Sequence, residues 1–176
     1  MVPSTIDEVL PPGPYVEAVP ALALAKARAV IAAGVGGIVL AADTVVVIDG
    51  EALGKPADSD DARAILRRLR GRAHDVITGV AVVDVEARRE LIAAAVTRVV
   101  MASYPDAALE GYVASGSPLD KAGAYAIQDI PPGWISEVRG SYSNVVGLPL
   151  PLTRRLLGEA GVAVALPPPG VSAEAE

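Results

Sequence analysis

One carboxylate in this 176-residue chain stands out because of the company it keeps. Asp43 falls between Ala41-Ala42 and Thr44-Val45-Val46-Val47, inside a run otherwise suited to a protein core. Burying an unpartnered carboxylate costs several kcal/mol, so Asp43 is expected at a strand end or in a cleft, beside a partner or a metal. There it could cap a strand, bind a metal or activate a water. Thr44 beside it adds a hydroxyl that can donate or accept.

Other polar residues cluster in loops. Lys55 lies in Gly54-Lys55-Pro56, between a flexible and a rigid residue; it is either a solvated loop lysine or a cation aimed at a phosphate. The densest polar stretch is Asp120-Lys121-Ala122-Gly123-Ala124-Tyr125-Ala126-Ile127-Gln128. It combines charge, a glycine that permits close backbone approach and an amide suited to a base edge. Gly140-Ser141-Tyr142-Ser143-Asn144 could offer backbone N–H groups to an anion at a helix start. Together these features suggest a phosphorylated, base-containing ligand with a divalent metal. Neither a GxxxxGK[ST] loop nor a GxGxxG turn is present in the sequence. Arg63, Arg67, Arg68, Arg70 and Arg72 read as a solvated helix face paired with Asp58, Asp60 and Asp61. His74 reads as structural, and Thr78-Gly79 interrupts a strand pattern where the backbone approaches something closely.

Composition narrows the function classes. With 15 basic and 21 acidic residues the formal charge is −6, which argues against a nucleic-acid or anionic-membrane surface. A phosphorylated small ligand needs only a few local cations and stays open. The absence of cysteine excludes disulfides, zinc-thiolate sites, iron–sulfur clusters and a cysteine nucleophile. A single histidine argues against a multi-histidine metal site or a Ser–His hydrolase. A hydrophobic share of 52% excludes disorder for most of the chain. With no Phe, one Trp and five Tyr, the core is expected to be built from Ala, Val, Leu and Ile. The opening MVPSTIDEVL lacks a signal-peptide pattern, and the apolar run 29–42 is too short to span a bilayer, so a cytoplasmic protein is expected.

Several elements must position these residues. A helix is expected from Pro20, in its first turn, to about residue 33, closed by glycines. Residues 37–48 read as a buried strand or strand pair with Asp43 in the middle, followed by a hairpin turn at Asp49-Gly50. A helix over 61–70, capped by Asp58, Ser59 or Asp60, stops at Gly71. Strands are expected over 73–85 and 91–101, with a charged hairpin connection between them. A helix over 105–114 follows, then an ordered loop over 115–132 with a short strand at 124–127. A strand at 134–139, a turn at 143–147 and a helix over 149–160 complete the pattern. Residues 166–176 read as a disordered tail. Mixed strands and helices give an α/β class.

Three separated motifs then carry a resemblance. The run AADTVVVIDGEALGKPADSDDARAILRRLRGRAHDVITGVAVV, then SPLDKAGAYAIQ, then GSYSNVVGLPL, resembles the Maf family of nucleoside triphosphate pyrophosphatases over roughly residues 2 to 160. The DKAGAY-I-Q form is similar to the branch acting on dTTP and UTP. The resemblance implies a mixed central sheet flanked by helices, with two lobes around a cleft, in the Maf/ITPase-like manner. It implies a domain over 1–165, followed by the tail. It implies hydrolysis of the α–β phosphoanhydride to a monophosphate and pyrophosphate, dependent on a divalent cation, Mg²⁺ or Mn²⁺. By motif position, Asp43 takes the proton-acceptor role, Thr44 and Gln128 match base-selecting positions, and Lys55 and Lys121 match phosphate-binding lysines. Glu8 matches an acidic residue that helps Asp43 hold the metal. A homodimer is consistent with the family.

The chain also departs from the family pattern. A Ser-x-Ser-Pro-Arg-Arg turn that seats phosphate is absent, and MVPSTIDE matches a segment that follows it. The resemblance therefore implies an incomplete N-terminal end, from a mis-assigned start site or a truncated gene, and low activity for this chain. Ser117 stands where an acidic residue is common. Two rival readings remain: a catalytically impaired nucleotide-binding protein regulating septum formation, and a purine-directed pyrophosphatase, against which Gln128 argues.

Overall fold

The computed structural model describes residues 9–164. Its elements are helix α1 (Tyr15–Ala32), strands β1 (Ile38–Ile48) and β2 (Glu51–Leu53), helix α2 (Ser59–Leu69), strands β3 (Ala73–Asp84) and β4 (Arg89–Met101), helix α3 (Asp106–Ala114), strand β5 (Ile135–Arg139), and helices α4 (Tyr142–Val146) and α5 (Leu150–Glu159). The five strands form one sheet in the order β2-β1-β3-β4-β5, with antiparallel β1–β2 and β4–β5 pairs. The mixed α/β expectation holds.

Local chemistry explains the connections. Asp49 and Gly50 both take positive φ, 55° and 78°. That is the two-residue turn whose twist matches a hairpin, and it sets Ile48 opposite Glu51. Between β3 and β4, the Asp84 carboxylate accepts the N–H groups of Glu86 and Ala87 at 3.0 and 2.9 Å. The α2 N-terminus is capped by Asp58, which accepts from Asp60 N and Asp61 N at 2.9 Å.

The chain divides into two compact units. Among the described residues, the first holds 9–44, Thr78–Ala95 and 147–164; the second holds Val45–Ile77 and Val96–Val146. In the first unit, β3 is buried on both faces, which is why its sequence is a continuous apolar run rather than an alternating one. Val80 and Val82 pack with Leu156 of α5. Val83 packs with Val39 and with Ala27 of α1.

In the second unit, α2 buries Ala62, Leu66 and Leu69 at helical spacing. This core also gathers Tyr104, Tyr112, Tyr125 and Trp134. Trp134 stacks on Tyr104 at 3.9 Å and meets Tyr112 edge-on at 5.3 Å. Four of the six aromatic residues are thus concentrated in one core. The expectation of a purely aliphatic core fails here, because composition averages over the chain.

Three further expectations are corrected. Pro20 is not in the first turn of its helix, because α1 begins at Tyr15. Its position suits a backbone contact instead: a Cβ on Gly79 of β3 would fall 2.3 Å from Pro20 N. Residues 124–127 form no strand; a tight 3₁₀ turn at Ala122–Ala124 runs into an extended Tyr125. The turn expected at 143–147 is the short helix α4, closed by side-chain bonds described below. The tail expected at 166–176 lies outside the described residues. No helix among the described residues is long and apolar enough to cross a membrane.

Candidate active site

In the first unit, β1 presents Asp43 at its middle, the sixth of eleven residues, not at a strand end. The partner that a buried carboxylate requires is Lys26 of α1, whose Nζ donates to Asp43 Oδ1. The two side chains are only 14% and 12% exposed. Sequence reasoning missed Lys26; its signal was a cation, with Arg28 two residues on, inside the otherwise apolar stretch ALALAKARAV. Next to Asp43, the Thr44 hydroxyl shares a hydrogen bond of 2.9 Å with the hydroxyl of Thr78, which is fully buried. Gly147 adjoins this hydroxyl: a Cβ at the glycine would make an ordinary contact of 3.6 Å with Thr44 Oγ1.

Glu8 lies outside the described residues. Among the described residues no three His, Cys, Asp or Glu side chains gather into a metal-binding group. The donor set around Asp43 is thus one carboxylate, with one oxygen engaged by Lys26. Mg²⁺ with a nucleotide uses such a set, one or two carboxylates plus the substrate's own phosphate oxygens, rather than an all-protein cage.

In the second unit, the other predicted residues lie on two loops that touch. Gly123 N donates to Gly54 O at 3.0 Å, which ties the Asp120–Gln128 segment to the Gly54-Lys55-Pro56 loop. Lys121 Nζ pairs with the Asp120 carboxylate at 2.8 Å. Asp120 is held below the usual carboxylate range, first by that bond and also by the charge of Lys55. Lys55 and Lys121 therefore both act on one carboxylate. Gln128 is exposed, on a turn closed by the N–H groups of Asp129 and Ile130 on Ala126 O at 3.0 and 3.2 Å. Ser117, which replaces an expected acid, has its hydroxyl 3.5 Å from the Asp129 carboxylate.

Two predicted clusters turn out to be internal. Arg63 pairs with Asp60, as expected, but also with Glu110 of α3 at 2.7 Å. Arg68 meets Glu51 and Arg72 meets Asp49, each at 2.7 Å, and Arg70 meets Asp106 at the same distance. The basic patch thus fastens α2 to its neighbours. At Ser141–Asn144, Ser141 N donates to Thr97 Oγ1 at 3.1 Å and Asn144 N to Ser141 Oγ at 3.2 Å. Asn144 Nδ2 donates to Val76 O and Thr97 Oγ1 at 3.0 and 2.9 Å. These bonds hold α4 in place.

The first unit offers a lysine-paired carboxylate beside a hydroxyl, groups that suit a water to be activated; the second, taken by itself, offers two ammonium groups on adjoining loops, which suit a polyanion. The chain belongs to the Maf family: it matches the family described as Maf-like protein over residues 1–160. A dTTP/UTP pyrophosphatase of Anaeromyxobacter dehalogenans is 51% identical over 167 residues, spanning 90% of this chain and 81% of that protein. A dTTP/UTP pyrophosphatase of Salinibacter ruber is 52% identical over 149 residues, 84% of this chain and 73% of its own length. A third, of Nitratidesulfovibrio vulgaris, is 50% identical over 150 residues, 85% of this chain and 71% of its own length.

Proposed function

We propose that the chain is a nucleoside triphosphate pyrophosphatase that hydrolyses dTTP and UTP to the monophosphate and pyrophosphate. The observation that carries this reading is its identity of about half the residues, over most of its length, to relatives bearing that name. In the proposal, Asp43 accepts the proton of the attacking water. Lys26 holds the Asp43 carboxylate in orientation. Lys55 and Lys121 stabilise charge on the departing pyrophosphate. Thr44 and Gln128 read the pyrimidine edge by hydrogen bonds; a wrong edge leaves one of them unsatisfied and is rejected.

Asp43 and Glu8 would be the protein's carboxylates for a divalent cation, Mg²⁺ or Mn²⁺, which would lower the phosphate charge that a nucleophile must approach. A cytoplasmic setting fits a nucleotide substrate, and a homodimer fits the family.

The test is direct. The purified chain is incubated with dTTP, UTP, dCTP, ATP and GTP in the presence of Mg²⁺ or Mn²⁺, and monophosphate and pyrophosphate are quantified. Consumption of dTTP and UTP ahead of the others is expected. A purine preference, or nucleotide binding without turnover, would overturn the reading.

A further inference from the structure

We propose that the buried pair His74–Tyr125 is a positioning device that fixes the Lys121–Gln128 segment, and so sets substrate affinity and base discrimination without touching substrate. This rests on the pyrophosphatase reading above for its enzymatic consequence, but not for its structural one. His74 sits on β3 and is 1% exposed; Tyr125 is 5% exposed. His74 Nε2 and Tyr125 Oη are 2.7 Å apart, and the rings meet edge to face with centroids at 5.5 Å.

The pair is a poor choice if stability were its only role. A neutral imidazole carries one N–H and a phenol one O–H, yet a single contact joins them. His74 Nδ1 is buried with no hydrogen-bond partner among the described residues. If Nε2 carries the imidazole proton and donates to Tyr125, the phenol proton has no acceptor in the contact. If Nδ1 carries it, the phenol donates and the Nδ1–H is left over. Either tautomer leaves one buried donor without an acceptor among the described residues. Two apolar side chains of the same shape would avoid that penalty.

What the pair accomplishes lies in the segment it grips. Gly123 and Ala124 both take left-handed conformations, with φ of 70° and 59°. Ala124 is not a glycine, so its conformation must be imposed from outside. On one side of this reversal, Gly123 N is tied to Gly54 O, next to Lys55. On the other side stands Tyr125, anchored by His74. Lys121 lies two residues before the reversal, and Gln128 three residues after its anchor. Gly123 is pressed against Val46, where a Cβ would come within 2.7 Å of Val46 Cγ2, so the segment cannot settle inward if its anchor is lost.

The experiment compares the full chain with Tyr125→Phe, His74→Phe, the double variant and His74→Gln. Two readouts are taken: steady-state kinetics on dTTP against dCTP, and amide hydrogen exchange of the 121–128 segment against α2. Tyr125→Phe and His74→Phe are each expected to raise KM for dTTP about tenfold and to narrow the dTTP-to-dCTP ratio, with kcat changed less than about threefold. Exchange in 121–128 should speed up about tenfold while α2 is unchanged. The double variant should resemble either single one, and His74→Gln, whose amide can reach the phenol, should recover part of the loss. Unchanged KM and unchanged exchange would overturn the proposal. So would a fall in kcat alone that follows the folded fraction, with His74→Gln no better than His74→Phe. If the parent chain hydrolyses neither dTTP nor UTP, the pyrophosphatase reading fails by itself, and the exchange arm alone decides the positioning role.

Discussion

Lys26 and Asp43 stand on different elements, α1 and β1, and meet ammonium to carboxylate with little solvent at either side chain. A pair this buried is asymmetric in its response to mutation. Lys26→Met removes the cation and leaves a largely buried carboxylate, so a loss of about 3 kcal/mol is expected in urea unfolding. Asp43→Asn keeps an oxygen that can still accept from Lys26, so it should cost less. On activity the order reverses: Asp43→Asn should lower dTTP turnover at least about 100-fold, while remaining folded by circular dichroism.

Gly79 and Pro20 predict a different failure. A Cβ at Gly79 would meet Pro20 N at 2.3 Å and Pro20 Cα at 2.5 Å. These are helix backbone atoms, which cannot rotate away as a side-chain tip can. Gly79→Ala should therefore cost more than about 3 kcal/mol, beyond the usual overpacking penalty, with faster amide exchange in α1.

The pH dependence of stability should carry the signature of His74. Burial, aided by the charge of Arg98, pushes the imidazole down to about 4 from its ordinary 6.5. Between those values the unfolded chain takes up a proton that the folded chain refuses. Stability from this group is therefore complete above pH 6.5 and is lost as pH falls toward 4, by about 3 kcal/mol in all. His74→Gln should flatten the unfolding free energy across that window relative to the parent chain, as read by urea titrations at half-unit steps.

At the start of α2, Asp58 satisfies two N–H groups from a single oxygen. Asp58→Ala should cost about 1 kcal/mol and Asp58→Ser or Asp58→Asn little, measured by thermal melts.

Much of this architecture was legible because it follows local rules. The Asp49-Gly50 hairpin, the Asp58 cap and the β3 run each follow from residue type and spacing. The need of Asp43 for a partner was legible as well, from its apolar neighbours. What the sequence could not supply was which residue answers it. Lys26 is separated from Asp43 by 17 positions, and the pairing arises only when α1 packs on β1. Pro20 misled for a related reason: propensity places proline at a helix start, whereas here a tertiary contact with Gly79 accounts for its position inside α1. Likewise, the cation-rich α2 showed its charges but not their partners. These include Glu51, Asp106 and Glu110, on other elements of the same unit.

The passage of β1, β3 and β4 through both units has a consequence for biosynthesis. The chain enters the first unit, leaves at Thr44, returns at Thr78, leaves at Ala95 and returns at Gly147. Neither unit is a continuous stretch of the gene. Every residue of the second unit has been translated by Val146, before Leu156 of α5 exists to cover Val80 and Val82. During synthesis, that face of β3 must wait for the last helix, and its apolar surface is the part of the nascent chain most in need of protection.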